Sequence, residues 1–90
     1  MNVQNQRKML VVDDSFVNRK IIANIFKNEF LIEEAENGRQ ALDAIGQKDI
    51  SIAVLDLMMP VMDGFEVLRR LRQNPDPGIS RTPIIVVTAA

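Results

Sequence analysis

Ninety residues, 47% of them hydrophobic, with eleven basic and twelve acidic side chains, give a net charge of −1. That suffices for one small core and excludes a disordered chain, two independent domains, and whole-chain attraction to nucleic acid or an anionic membrane. Cysteine and histidine are both absent, which removes disulfides, thiolate and imidazole metal sites and histidine acid–base chemistry. Any metal must then be a hard cation held by oxygen.

Residues Met1 to Arg7 are polar and read as a leader without a signal-peptide profile, and no apolar run reaches the roughly 18–20 residues of a membrane span. The expected compartment is the cytoplasm. Met9-Leu10-Val11-Val12 is apolar throughout, too short for a helix and rich in β-branched residues, so it predicts a strand buried on both faces. It stops at Asp13-Asp14. Ser15 is the expected N-cap of a helix running to about Asn28, with Val17, Ile21 and Ile25 four apart and Ile22 and Phe26 beside them as one apolar stripe. Asn18, Arg19, Lys20 and Lys27 fall largely outside that stripe.

Phe30 to Ala35 predicts a second strand, Asn37-Gly38 a turn, and Asn37 the cap of a short helix carrying Ala41, Leu42 and Ile45 and ending at Gly46. Ile50 to Leu55 is another buried-strand run and ends on Asp56. Leu57 to Gly64 reads as a loop containing Met58, Met59, Pro60 and Met62. Asp63 with Glu66 three residues on predicts a capped helix over Phe65 to Arg72, whose Arg69, Arg70 and Arg72 belong to a solvated face. Asn74 to Pro83, with three prolines and a glycine, reads as loop. Ile84 to Val87 is the fourth buried-strand run and stops at Thr88. The alternation β-α-β-α-β-α-β predicts an α/β fold, a parallel sheet with helices on both faces and right-handed crossovers.

In such a sheet the binding crevice lies beyond the carboxyl ends of the strands. Asp13, Asp14 and Asp56 all fall there if the first and third strands are neighbours. Three like charges so close are costly without a cation, and an all-oxygen cluster suits Mg²⁺ or Mn²⁺.

Val11-Val12-Asp13-Asp14-Ser15, then Asp56-Leu57-Met58-Met59-Pro60-Val61-Met62-Asp63-Gly64, then Val87-Thr88-Ala89 resemble the receiver domain of bacterial two-component response regulators. The likeness runs from about Lys8 to Ala90. It implies a flavodoxin-like sheet of strand order 2-1-3-4 and a non-enzymatic signalling role, in which a sensor histidine kinase passes a phosphoryl group to Asp56. It also implies Mg²⁺ (or Mn²⁺) on Asp13, Asp14, Asp56 and the backbone carbonyl of Met58, with Thr88 hydrogen-bonding the phosphoryl group. Pro60 and Gly64 shape the loop.

Residues 1–90 would then form an incomplete receiver domain, without the family's last helix, strand and helix and the lysine carried there. Lys8, Lys20, Lys27 and Lys48 all precede Asp56, so slow phosphorylation is expected. The rival reading is a phosphorylation-incompetent module that acts by association. A P-loop protein is excluded because no glycine follows the first strand, and an aspartyl phosphatase of the haloacid-dehalogenase type because the second acid comes one position early. The fourth strand, left at the sheet's edge, is expected to build a homodimer by edge pairing or strand exchange.

Overall fold

The computed structural model describes residues 7–47, 49–59 and 62–87. Their elements are β1 (Arg7–Val12), α1 (Phe16–Phe26), β2 (Phe30–Ala35), α2 (Gly38–Gly46), β3 (Ile50–Asp56), α3 (Gly64–Arg72), α4 (Pro77–Ser80) and β4 (Ile84–Val87). All strands are parallel in one sheet of order β2-β1-β3-β4. This is the flavodoxin-like order expected from the sequence, with β1 and β3 central.

The helix starts are capped as the sequence predicts. The side chains of Ser15, Asn37 and Asp63 accept from the N–H groups of Asn18, Gln40 and Glu66, removing donors that a helix start leaves unpaired. The Glu66 carboxylate turns to Arg69 and Arg70 further along α3.

Alternate residues of the central strands feed two cores, because strand side chains point to opposite faces. Leu10, Val12, Ala53 and Leu55 pack with Ala41 and Ile45 of α2 and Val67 and Leu71 of α3. On the other face Met9, Val11 and Val54 meet Ile22 and Phe26.

The stripe of α1 divides: Ile22 and Phe26 pack on the sheet, whereas Val17, Ile21 and Ile25 are 63%, 54% and 62% exposed. The structure corrects the sequence reading at two places. Arg19, placed outside the stripe, is the buried residue of the helix. The segment expected to be loop holds the single turn α4, started by the Asp76 side chain and Pro77 at its first position, where proline's missing N–H costs nothing. Arg72 stays exposed, as expected, and donates to the carbonyls of Ser80 and Thr82, tying α4 to α3.

Among the described residues, no helix is long and apolar enough to cross a membrane.

Candidate functional site

Parallel pairing sets Val12 of β1 beside Leu55 of β3, so the acidic residues that follow each arrive at the same end of the sheet. Carboxylate oxygens of Asp13, Asp14 and Asp56 lie within 4.8 Å of one another, with Asp13 and Asp56 buried and Asp14 exposed. The sequence reading required this convergence, and the structure provides it.

Each buried carboxylate is held by its own chain. Asp13 Oδ1 accepts from the N–H of Ser15 at 2.8 Å, and Asp56 Oδ1 from the N–H of Met58 at 2.9 Å. Both are local loops in which a side chain replaces a backbone acceptor. Burial pushes the Asp13 carboxyl above its ordinary value; the Ser15 N–H opposes the rise, and the charges of Asp56 and Asp14 add to it.

The donor set fits a hard divalent cation. Three carboxylates gather oxygens within 4.8 Å of one another, and a cation there would offset the repulsion that adds to the rise at Asp13. Thr88 and Pro60 lie outside the described residues. Met58 is exposed at the rim.

Two residues of the site carried no chemical assignment in the sequence reading. Arg19 donates from Nη1 to the carbonyl of Asp13 at 2.6 Å and from Nε to Glu34 at 3.0 Å. It thereby clamps the end of β1 to α1 and β2. The signal was its position three and seven residues before Ile22 and Phe26, on the helix face that meets the sheet. Gly64 is the second. A Cβ there would sit 2.6 Å from the carbonyl oxygen of Asp56 and 2.7 Å from Leu57 Cα, so the start of α3 presses directly on the backbone that carries Asp56.

Two lysines are paired away from the cluster: Lys8 with Asp49 and Glu33, and Lys20 with Glu34.

A parallel sheet of order 2-1-3-4 with an acidic crevice at its carboxyl end is a doubly wound α/β fold of the flavodoxin-like kind. The family model for the response regulator receiver domain matches residues 9–90, and this chain belongs to that family. Among curated relatives, the transcriptional regulatory protein ResD of Bacillus subtilis is 39% identical over 90 residues, covering 99% of this chain and 35% of the relative. Response regulator MprA of Mycolicibacterium vanbaalenii is 40% identical over 83 residues, covering 92% of this chain and 34% of that protein. The chain thus spans about a third of the length of these relatives. Among solved structures, the chemotaxis response regulator CheY4 of Vibrio cholerae superposes with a TM-score of 0.85 at 30% identity, over 96% of this chain and 71% of that one. The receiver domain of the histidine kinase CKI1 from Arabidopsis thaliana, solved with Mg²⁺ and BeF₃⁻, gives 0.82 at 29% identity, over 93% and 66%.

Proposed function

We propose that Asp56 of this receiver domain is the phosphoacceptor, and that Asp13, Asp14, Asp56 and the Met58 carbonyl hold Mg²⁺ (or Mn²⁺). The observation that carries the reading is the convergence of the three carboxylates on one point. The CKI1 receiver, solved with Mg²⁺ and BeF₃⁻, supports it by likeness.

The donor is a phosphohistidine on a sensor histidine kinase. The Met58 N–H fixes the Asp56 carboxyl through Oδ1, leaving the second oxygen for in-line attack on phosphorus. An O–P bond forms as the P–N bond breaks, and the electron pair leaves on the imidazole nitrogen, which ends neutral or takes a proton from water. The bound cation supplies charge neutralisation on the transferring oxygens. Asp13 and Asp14 hold that charge in place, Arg19 and Gly64 keep the two strand ends in register, and Thr88 donates a hydrogen bond to the phosphoryl group. The domain is regulatory and accepts a phosphoryl group rather than turning over a substrate.

Intact-mass measurement after incubation with a small acyl phosphate and Mg²⁺ tests the proposal. One phosphoryl group on the parent and none on Asp56→Asn is the expected result. An unlabelled parent would favour the association module.

A further inference from the structure

Asp13 sits in a closed ring of hydrogen bonds. Its N–H donates to the Ala35 carbonyl at 3.1 Å, and its own carbonyl accepts from Arg19 Nη1 at 2.6 Å. Arg19 Nε donates in turn to Glu34 at 3.0 Å, the residue before Ala35 on β2. The ring therefore runs from Asp13 to Ala35, back one residue to Glu34, through the guanidinium, and returns to the Asp13 carbonyl. A peptide group is planar, so holding that carbonyl also places the Cα of Asp14. One guanidinium thus orients two residues of the acidic cluster.

The guanidinium is itself held. Its side chain is 11% exposed, and a cation so buried is tolerated only where its donors find acceptors. Glu34 also takes Lys20 at 2.6 Å, and the Phe16 ring has Arg19 and Lys20 at 5.8 and 5.1 Å from its centroid. Asp56 makes the same side-chain loop as Asp13, to the Met58 N–H rather than the Ser15 N–H, but its carbonyl lies against Gly64. The two loops differ in that support.

We propose that Arg19 is a positioning residue for the cation site proposed above, on which this inference rests: its guanidinium sets the Asp13–Asp14 peptide plane and so aims two of the three carboxylates at Mg²⁺. Removing a group that orients a metal ligand from behind typically costs about 10–100-fold in affinity.

Charge and positioning predict opposite signs. A guanidinium near a cation site repels the cation, so on charge alone Arg19→Gln tightens Mg²⁺ binding and Arg19→Lys leaves it unchanged. On positioning both weaken it, because an ammonium is one point on a flexible stem and does not reproduce the fork of Nε and Nη1.

Two readings test the proposal, one of them without metal. In calorimetry, folded Arg19→Gln and Arg19→Lys are each expected to raise the Mg²⁺ dissociation constant about 10–100-fold. Ile45→Val, which loosens the core away from the site, is expected to bind as the parent does, separating lost aim from lost stability. In metal-free protein, exchange of the Ser15 amide with water, followed by NMR, is expected to be about tenfold faster in both Arg19 variants. The Met58 amide, which reports the loop without the guanidinium, is expected to exchange as in the parent. Should neither Arg19 variant fold, Glu34→Ala, which removes the other anchor of the fork, decides by the same two readings and in the same directions. A parent that gives no heat with Mg²⁺ would overturn the cation site and this proposal with it, whereas a parent that binds while the variants bind as well or better, or an unchanged Ser15 amide, would overturn the role of Arg19 alone.

Discussion

Asp14 adds charge to a pocket that already holds two buried carboxylates, and removing that charge has opposite consequences with and without the cation. Without Mg²⁺, Asp14→Asn relieves a repulsion of about 0.5–1 kcal/mol between groups this close at the surface, and denaturant unfolding should show a gain of that size. With Mg²⁺, the same variant should lose the binding heat that the parent gives in calorimetry. A variant that binds as the parent does would remove Asp14 from the site. Gly64 supplies the second test at this scale. A methyl group 2.6 Å from the Asp56 carbonyl oxygen forces the backbone apart, so Gly64→Ala should cost about 1–3 kcal/mol, as overpacking does. It should also slow Asp56 labelling, whereas Gly46→Ala, with nothing within 4 Å of its Cβ, should leave labelling unchanged.

Between elements, Arg19 joins α1 to the ends of β1 and β2, and its partner Glu34 also takes Lys20. Hydrogen bonds first from Lys20 and then from Arg19 hold the Glu34 carboxyl below its ordinary 4.5. A depressed carboxylate contributes stability that is present above the unfolded value and lost as pH falls through the folded one. Glu34→Gln should therefore cost about 1–2 kcal/mol at neutral pH. The gap to the parent should close on acidification below the ordinary carboxylate range; a gap that persists there would assign the loss to packing.

The strands and their acidic ends were legible because a short, wholly apolar run such as Leu10 to Val12 has few ways to be buried and Asp13 must follow it. In α1 two apolar stripes compete, and periodicity reports that a stripe exists without saying which one finds a partner. Val17, Ile21 and Ile25 stay in solvent while Arg19, Ile22 and Phe26 take the sheet. A charged residue in the buried stripe was hidden because its partners, the Asp13 carbonyl and Glu34, come from other strands. The turn at Asp76-Pro77 carried a legible cap and a proline at the favoured first position, outweighed by the prolines around it.

At the scale of the molecule, a ligand that binds only the folded chain stabilises it by mass action. At ten times its dissociation constant, Mg²⁺ should add about 1.4 kcal/mol, or roughly 5–10 °C in the midpoint of a chain this size. Asp56→Asn should show none of that shift. Under the proposed function, the three carboxylates that repel one another without a cation are the ones that would hold the cation and, through Asp56, take the phosphoryl group, so stability and chemistry would read the same residues. Whether Asp56 is the nucleophile is settled most directly by trapping the acyl phosphate. After labelling with a small acyl phosphate and Mg²⁺, borohydride reduction converts a phosphorylated aspartate to homoserine, and peptide mass mapping locates it. The account predicts homoserine at position 56 alone. Homoserine at position 13 or 14, or label retained by Asp56→Asn, would contradict it.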